Sequence, residues 1–526
     1  MTALGPVIRF LPSYISVEVY TVLGTSVNRY EWLTVLTVNL ANGVASFDTG
    51  VMNLILPTIS ITLKAPVEIV FWVPLVALIS RAAFMPSIGR YSDIHGRKKL
   101  MLAGLIVFAA GSFLSGISTT IYELIIYRII QGIGAASILA VGRAIIVNAV
   151  GRENRGYALG TNVSTIYLAT TLGTAISGTI ISFTSYVGWE QVFIVTGIAT
   201  VAIIPLTFFA LKDEGARSTN RSMDWTGSFL LAAAIGATLS AVTAGVLTNF
   251  GTLRIFIEYI RIPIIDFYIY TLWSFSIPVS WIAFAAIAFT ALFFIREYTA
   301  ERPLLDFRLF TSNITFSITN LTAFVTYIGT YSLLILLSFY LEVIRGFTPL
   351  VSGLLLALQP MAVTVFAIIG GRLSRRYDNR HLEFSGLLIM VVCLLLLGGT
   401  SVNTSVILTS LLLIGLGAGF GIFSPNNTNL NLSSVKEEDR SLANGVLGMM
   451  RHSGQTISLG VATIALDISL FGITGSGSST FNPLQYIHSL DISFFIGAGL
   501  IIFASLLYIK YHAKIGRPVA PEPGVT

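Results

Sequence analysis

The chain has 526 residues, of which 54% are hydrophobic and 11% charged, and its mean hydropathy is +0.82. This composition excludes a water-soluble globular protein, which needs far more polar surface, and indicates a membrane protein. The net charge of +6 requires no nucleic-acid partner, because basic loops that face anionic lipid account for it. The single cysteine, Cys393, excludes an internal disulfide and a cysteine-based metal site.

Long apolar runs predict membrane-spanning helices, because a helix needs about 20 apolar residues to cross the hydrocarbon. We predict an all-α membrane protein with fourteen transmembrane helices, near residues 33–57, 68–89, 100–118, 122–147, 157–182, 190–211, 226–247, 276–296, 313–342, 350–371, 384–401, 404–431, 442–468 and 490–510. Residues 253–275 are apolar enough for a helix or hairpin that lies on the membrane surface.

The distribution of basic residues orients these spans. With the N-terminus inside, 23 of the 31 Lys and Arg fall in cytoplasmic segments, four in outer segments and four within spans. Positively charged loops stay cytoplasmic, so we predict a multi-pass protein of the cell membrane with both termini and loop 212–223 in the cytoplasm. Residues 248–275 are then external or at the outer surface. Residues 1–31 lack the pattern of a cleaved signal peptide.

Two pairs of similar segments indicate an internal duplication. GRYSDIHGRKK (89–99) follows span 2 and resembles GRLSRRYDNRH (371–381), which follows span 10. At nearly the same separation, NRGYALG (154–160) resembles DRSLANG (439–445). Parallel repeats of this kind are an architecture of secondary transporters, whose binding site lies between the repeats near the middle of the membrane.

Several motifs resemble those of the major facilitator superfamily, and the resemblance extends from about residue 33 to 510. The loop between spans 2 and 3 is similar to a family signature at Gly89, Asp93, Gly96, Arg97 and Lys98. RIIQGIGAA in span 4 is similar to another at Arg128, Gln131, Gly132 and Gly134. FDTGVMNLILP, which includes Asp48 to Pro57, and ERPLLDFRLF (301–310) resemble motifs of the fourteen-helix drug:proton antiporter branch.

One motif departs from the pattern of that branch. The helix 5 signature has a Gly-Pro pair followed by a Gly-Gly pair, whereas this chain has GTAISG from Gly173 to Gly178. Thr174 replaces the proline and Ser177 replaces a glycine. The small residues still allow close helix packing, but a proline-dependent distortion of the helix is not expected.

The resemblance implies a major facilitator fold with two six-helix bundles and two extra central helices. Its regions are a cytoplasmic segment (1–32), an N-terminal bundle (33–211), a linker with two transmembrane helices and an outer-surface segment (212–312), a C-terminal bundle (313–510) and a cytoplasmic tail (511–526). It implies proton-coupled export of amphiphilic drugs or other hydrophobic molecules by alternating access, without a cofactor and as a monomer. The alternatives are a facilitator or importer, a carrier of lipid-like molecules, and a non-transporting signalling or structural protein.

Charged residues inside the spans are the first candidates for a functional site, since each costs about 3 kcal/mol or more unless it is paired or hydrated. At 1.5 Å per residue, Asp48 lies within roughly 5 Å of Arg128 and 7 Å of Arg81 in depth. We expect Asp48 and Arg128 to couple proton movement; a permanent ion pair that fixes the packing is the alternative. Arg81 and Arg143 are candidates for a substrate cavity that tolerates anionic or zwitterionic amphiphiles, and pairing or snorkelling is their alternative.

The signature between spans 2 and 3 predicts a conformational latch. Asp93 and Arg97 are four residues apart, so the acid can bond both a helix start and its basic neighbour. Gly89 and Gly96 permit tight turns. The alternative is a hydrated loop whose basic residues follow the orientation rule. In the second repeat Arg375 stands where Asp93 stands in the first, so a second latch of this kind is not expected.

Polar and aromatic side chains in the C-terminal half are further candidates. SPNNTNLN (424–431), which contains Asn426 and Asn427, ends span 12, and Gln359 lies in span 10. Buried amides either join helices or line a hydrated cavity. Tyr327 is a candidate for stacking on an apolar substrate, or a packing residue. Arg451 and His452 in span 13 are additional charged candidates.

The sequence does not favour an enzyme. The five histidines form no cluster with metal-ligand spacing, and no phosphate-binding loop ends in Gly-Lys-Ser/Thr. GLGAGFG (415–421) imitates a dinucleotide-binding motif but lies within a predicted span without a preceding strand, so we interpret it as helix packing.

Overall fold

The structure is a computed structural model, which describes residues 29–65, 67–70, 72–183, 188–212, 223–247, 252–262, 267–300, 304, 308–347, 349–399, 404–471 and 483–511. Both chain ends, most of loop 212–223 and Asp467's side chain lie outside the described part, so the predicted location of the termini stays a prediction.

Fourteen helices of 17 residues or more make up most of the described chain. They are α1 (Arg29–Thr62), α2 (Trp72–His95), α3 (Arg97–Gly116), α4 (Ile121–Ala149), α5 (Arg155–Phe183), α6 (Trp189–Ala210), α7 (Trp225–Leu247), α8 (Val279–Thr299), α9 (Ile314–Thr330), α10 (Pro349–Leu373), α11 (Asn379–Leu397), α12 (Val406–Ser433), α13 (Arg440–Phe471) and α14 (Pro483–Tyr511). Short helical segments lie at Val67–Val70, Arg152–Asn154, Arg308–Ser312, Leu333–Phe339, Tyr340–Ile344 and Glu437–Asp439.

Ten of these helices are long and apolar enough to cross a membrane, counted over the described residues. The predicted number of fourteen is therefore not confirmed: α1, α5, α9 and α13 fall outside the ten. In α1 the polar side chains of Asn39, Asn42 and Asp48 lower the hydropathy, and α9 is only 17 residues long. Those three side chains are buried inside the protein rather than turned toward lipid.

Residues between α7 and α8 form a β-hairpin. The sequence allowed either a helix or a hairpin here, and the structure has the hairpin. Strands β1 (Thr252–Ile262) and β2 (Phe267–Pro278) pair antiparallel, with an irregularity between Ile257 and Tyr259. Apart from these two strands the elements of the described chain are helical, which agrees with the predicted fold class. The hairpin also moves the start of α8 to Val279, three residues later than the predicted span.

Local capping explains where two functionally important helices begin. Thr120 and Glu123 form a capping box that starts α4. The Asp378 side chain accepts from the backbone N–H of Arg380 at 2.9 Å and so starts α11 at Asn379. As a result α11 begins five residues before the predicted span, and Glu383 lies inside the helix.

The helices pack as two halves around a central interface. In the N-terminal half (α1–α6), α1 contacts α4, α5 and α6, α2 contacts α4, and α3 contacts α4 and α6. In the C-terminal half (α9–α14), α12 contacts α10 and α11, and α14 contacts α9 and α11. Helices α7 and α8 pair with each other, and α7 contacts α2 and α13. On α8, Trp281, Phe284 and Ile287 are 65–70% exposed, as expected of a surface that faces lipid.

The two halves meet through α2 with α13 and through α5 with α10. Helices α2 and α10 are each the second helix of their half, and α5 and α13 are each the fifth. The two contacts are therefore equivalent, as expected of an internal repeat. Four turns lie together at one end of the molecule, which we call the basic end: 95–97, 149–155, 373–379 and 433–440. At this end Arg440 donates to the side chain of Asn148 across the interface.

Candidate functional site

Asp48 lies where α1, α2 and α4 meet, and both of its carboxylate oxygens accept from arginines. Arg128 Nη1 is 2.5 Å from Oδ1, and Arg81 Nη2 is 3.0 Å from Oδ2. The three side chains are at most 4% exposed. The structure therefore brings together the three residues for which depth alone made pairing feasible, and helix rotation points all three into one cluster.

Gln131 completes this cluster from the same face of α4 as Arg128. Its Nε2 donates to Asp48 Oδ1 at 3.1 Å and to Ser112 Oγ at 2.8 Å, and its Oε1 accepts from Arg128. Arg81 also donates to Thr49 Oγ1 at 3.0 Å. One acid thus faces two basic groups, which leaves the buried cluster with a formal charge of +1 when all three groups are ionised.

Close packing between α5 and α1 holds the segment that carries Asp48. Thr174 Oγ1 donates to the Gly50 carbonyl at 3.0 Å, and Thr170 Oγ1 donates to the Ser46 carbonyl at 3.2 Å. A Cβ at Gly173 would meet the Phe47 carbonyl oxygen. Thr174, which replaces the family proline, and Thr170 therefore join α5 to α1 on opposite sides of Asp48. The surroundings of Gly178 lie outside the described part.

Two glycines of the helix 4 motif let neighbouring helices approach α4. A Cβ at Gly132 would lie 2.9 Å from the Ala77 carbonyl oxygen of α2. At Gly134 it would lie 2.7 Å from the Phe108 Cα of α3. Both glycines therefore act in packing, and the close approach of α2 that Gly132 permits brings Arg81 near Arg128.

Asp93, in the last turn of α2, and Arg97, at the start of α3, bond to the start of α13 at the basic end. Arg97 Nη2 is 2.7 Å from Asp93 Oδ1, and Asp93 Oδ2 accepts from the backbone N–H groups of Ser441 and Leu442 at 3.0 Å each. Arg97 also donates to Ser441 Oγ at 2.6 Å and to the Glu437 carbonyl at 3.0 Å. A carboxylate at a helix N-terminus is favoured by the helix dipole.

Neighbouring residues extend this junction. Arg90 Nη1 is 2.9 Å from Asp439 Oδ1. Burial raises the pKa of Asp439 above its ordinary value, and Arg90 opposes that change. A Cβ at Gly89 would meet the Ser441 carbonyl oxygen, and Gly96 has a φ of 103°, a conformation that glycine adopts without strain.

The corresponding junction between α5 and α10 lacks an acid. Arg375 Nη2 donates to Asn154 Oδ1 at 2.6 Å, and the Arg375 guanidinium lies 5.7 Å from the Tyr157 ring centre. A Cβ at Gly371 would meet the Gly156 carbonyl oxygen. The second repeat thus keeps the close approach of the first but replaces its ion pair with a neutral acceptor.

Glu383 is a buried acid that the sequence prediction missed. It is fully buried, and its carboxylate accepts from Thr322 Oγ1 at 3.0 Å, Asn427 Nδ2 at 2.9 Å and Tyr508 Oη at 3.4 Å. Within the described part of the chain no ion pair includes it. The capping residue Asp378 is the sequence signal that places Glu383 inside a helix.

Asn427 also connects Glu383 to Arg451 of α13, since its Oδ1 accepts from Arg451 Nη2 at 3.1 Å. Arg451 Nη2 also donates to Thr428 Oγ1 at 2.8 Å, and the guanidinium lies 5.9 Å from the Tyr327 ring centre. Asn427 therefore joins helices α9, α11, α12 and α13. Asn426 instead donates to the Ile422 carbonyl of its own helix.

The remaining candidates lie at or near the interface. Arg143 is 8% exposed on α4, and its Nε has no hydrogen-bond partner. Gln359 is 8% exposed on α10, whose backbone packs closely on Gly417. Among the described residues no group of three or more His, Cys, Asp and Glu side chains could hold a metal ion.

Comparison with known sequences finds a family profile and several similar transporters. The Major Facilitator Superfamily profile matches residues 38–459. The riboflavin transporter RibZ of Clostridioides difficile is 22% identical over 94% of this chain and 100% of its own length. Multidrug resistance protein 3 of Bacillus subtilis is 28% identical over 78% of this chain and 76% of its own length. Multidrug resistance protein Stp of Mycobacterium tuberculosis is 25% identical over 82% of this chain and 75% of its own length.

Solved structures agree in fold. The human organic anion transporter MFSD10 superimposes with a TM-score of 0.60 at 13% identity, over 91% of this chain and 99% of its own. The proton:xylose symporter XylE superimposes with a TM-score of 0.63 at 14% identity, over 92% of this chain and 96% of its own. The family and these relatives are transporters rather than enzymes, and such transporters typically need no cofactor. The sequence resemblance is confirmed: this multi-pass membrane protein belongs to the major facilitator superfamily of small-molecule transporters.

Proposed function

We propose that the protein is a secondary active transporter that uses the proton gradient to export amphiphilic drugs or other hydrophobic small molecules by alternating access. The observation that carries this proposal is the buried Asp48 between Arg81 and Arg128. An acid inside a membrane helix bundle is a functional candidate by default. The relatives named as multidrug resistance proteins support the class of substrate.

The contacts of Asp48 support a coupling mechanism. In the present arrangement each of its carboxylate oxygens accepts from a guanidinium group. A movement that separates α1 from α2 and α4 breaks these bonds and leaves the carboxylate free to exchange a proton, and the return movement restores the bonds. In this proposal the conformation of the bundle determines whether Asp48 is bonded to the arginines or open to a proton.

The junction of Asp93 and Arg97 with α13 stabilises the state in which the halves touch at the basic end. Opening this end breaks the bonds from Asp93 to Ser441 and Leu442 and those from Arg97 to Ser441 and Glu437. The junction of α5 with α10 contributes less, because Arg375 is bonded to a neutral amide. The basic end is therefore a gate with one charged junction, between α2–α3 and α13, and one junction that lacks an ion pair among the described residues, between α5 and α10.

The basic end faces the cytoplasm in this proposal, in a chain that works as a monomer in the cell membrane with both termini inside. Arg90, Arg97, Lys98 and Lys99 cluster there, and positively charged loops stay on the cytoplasmic side. Residues 248–275 with the β-hairpin then lie at the outer surface. Labelling of single cysteines, after replacement of Cys393, tests this orientation, and external labelling at Ser218 would contradict it.

Everted membrane vesicles provide the test of proton-driven export. With an acidic interior, vesicles that contain the protein should accumulate amphiphilic dyes, and collapse of the gradient should release them. Asp48→Asn keeps the size of the side chain but cannot ionise, so it should lose gradient-driven accumulation and keep passive exchange. It should also be less stable than the wild type, because Arg81 and Arg128 lose their acidic partner, so the assay compares vesicles with equal amounts of folded protein. Glu153→Gln is the matched control, because Glu153 is an exposed acid.

The proposal fails if Asp48→Asn vesicles accumulate dye as wild-type vesicles do. In that case Glu383, a fully buried acid of the C-terminal half, is the next residue to test. Dye movement that ignores the gradient in the wild type would instead indicate a facilitator.

A further inference from the structure

In the part of the chain that the structure describes, two buried arginines from opposite halves of the protein form no ion pair. Arg143 of α4 is 8% exposed and Arg451 of α13 is 3% exposed. Neither takes part in an ion pair within the described residues. Arg143 Nε and both Nε and Nη1 of Arg451 lack hydrogen-bond partners. These guanidinium groups therefore keep donors available at the interface between the halves.

The geometry of α4 and α13 directs the two side chains toward each other. The Asn444 amide of α13 donates to the Leu139 and Ala140 carbonyls of α4 at 2.8 and 2.6 Å. Arg143 follows one turn later on α4, toward the basic end, and Arg451 follows two turns later on α13, away from it. Because side chains lean toward the N-terminus of their helix, these two lean toward each other along the interface. They are close enough to repel one another electrostatically.

Other acids in the described part do not bond directly to Arg143 or Arg451. Both oxygens of Asp48 are bonded to Arg81 and Arg128. Glu383 attracts Arg451 electrostatically, but its hydrogen-bonded connection to that arginine runs through the Asn427 side chain, and Arg143 has no such connection to an acid among the described residues. An unpaired buried charge costs several kcal/mol, and two facing cations cost more. An anion between them removes this cost, and arginine binds carboxylate, sulfonate and phosphate groups through paired N–H donors.

Aromatic side chains border the same place. Tyr167 and Tyr327 lie close enough to Arg143 and Arg451 to interact with them electrostatically, and the Tyr327 ring centre is 5.9 Å from the Arg451 guanidinium. The Phe420 ring packs edge-on against each tyrosine, with centre distances of 5.6 and 5.3 Å. An anionic group held by the arginines therefore has aromatic and apolar surface beside it, which suits a molecule with a charged end and a flat apolar body.

We propose that Arg143 and Arg451 bind the anionic group of the transported molecule while Tyr167 and Tyr327 contact its aromatic part, so that the substrates are amphiphilic organic anions. This inference rests on the proposed export function, for which it names the substrate class. Arg143 lies on the N-terminal half and Arg451 on the C-terminal half, so one bound anion contacts both halves.

Binding to the purified full chain tests the inference independently of transport. Fluorescein and rhodamine 123 share a xanthene core, but fluorescein carries a free carboxylate whereas rhodamine 123 is a cation. Fluorescence anisotropy should give an affinity for fluorescein at least about tenfold higher than for rhodamine 123. Arg143→Gln and Arg451→Gln should each weaken fluorescein binding about tenfold or more and leave rhodamine 123 binding unchanged.

Two further variants control for folding and for general charge. Arg143→Lys keeps the charge but not the paired donors, so it should bind fluorescein more weakly than the wild type and more tightly than Arg143→Gln. Arg155→Gln removes an arginine at the basic end, where its Nε donates to the Val147 carbonyl, and should leave binding unchanged. Equal affinity for the two dyes in the wild type would overturn the inference without any variant.

Competition identifies the source of the anion. Inorganic phosphate should displace fluorescein only weakly, because it lacks the aromatic part. Phosphatidic acid that displaces fluorescein at concentrations below the dissociation constant of fluorescein would assign the site to a lipid headgroup. That result would overturn the substrate assignment. Arginine-dependent fluorescein binding without gradient-driven transport would refute export but not the site. Gradient-driven transport of rhodamine 123 alone, with no fluorescein binding, would refute the site but not export.

Discussion

Two pairs of buried arginines differ in what neutralises them. Arg81 and Arg128 share the carboxylate of Asp48 at 3.0 and 2.5 Å. Arg143 and Arg451 are also buried, but no ion pair within the described residues includes them. A buried charge needs a partner, which the first pair has within the fold and which a ligand supplies to the second pair in the proposal above. In that proposal the same residue type stabilises the protein at one place and recognises a molecule at the other.

The largest expected effect follows from removing a partner in the first pair. Arg128→Gln leaves Asp48 with one arginine and deprives Gln131 of a bond, so the free energy of unfolding should fall by about 3 kcal/mol. Thermal unfolding in detergent measures this loss against Arg155→Gln. An unchanged melting temperature would mean that Asp48 does not depend on Arg128.

Adding a partner to the second pair should have the next largest effect. Thr428 accepts from Arg451 Nη2 at 2.8 Å, so Thr428→Asp supplies an acid within reach of that arginine. Fluorescein binding should fall about tenfold, because the new carboxylate occupies the donors that the anion would use. Thr428→Asn is the uncharged control, and an equal loss in both variants would contradict the explanation.

Removing a member of the second pair should change stability in the opposite direction from the first. In protein without ligand, Arg143→Gln relieves repulsion from Arg451, and the free energy of unfolding should stay the same or rise by about 1 kcal/mol. The measurement is thermal unfolding in a buffer without organic anions. A loss as large as that of Arg128→Gln would reveal an acidic partner for Arg143 and remove the contrast between the pairs.

The smallest effect is expected where α5 supports the first pair. Thr174→Ala removes one hydrogen bond to the Gly50 carbonyl, and side-chain hydrogen bonds in membrane proteins contribute about 0.6 kcal/mol on average. The melting temperature should fall slightly and the vesicle assay should be almost unchanged. Complete loss of gradient-driven transport would show that this threonine does more than join two helices.

The contrast also separates what the sequence predicts from what it does not. The depth of Asp48, Arg81 and Arg128 follows from residue counting, and their contact agrees with it because α2 and α4 pack closely at Gly132. The proximity of Arg143 to Arg451 cannot be predicted by counting residues. It depends on how the two halves dock, which residue counting within each half does not fix.

Two other outcomes have local physical causes. Glu383 was missed because hydropathy places a helix start at the first long apolar run, whereas Asp378 caps α11 five residues earlier. For residues 253–275 apolar composition allowed a helix or a hairpin, and the strand pairing of Thr252–Ile262 with Phe267–Pro278 resolves that choice. Composition alone does not distinguish the two, since both bury apolar side chains at a surface.

Proton movement coupled to substrate movement tests the proposed function most directly. In liposomes that contain the protein and a pH-sensitive dye, an imposed gradient of fluorescein without a pH gradient should drive protons in the opposite direction. Asp48→Asn liposomes should move fluorescein without changing the internal pH, and Glu153→Gln liposomes should behave as the wild type does. Fluorescein movement by the wild type with no change in internal pH, or an undiminished pH change with Asp48→Asn, would contradict coupling at Asp48.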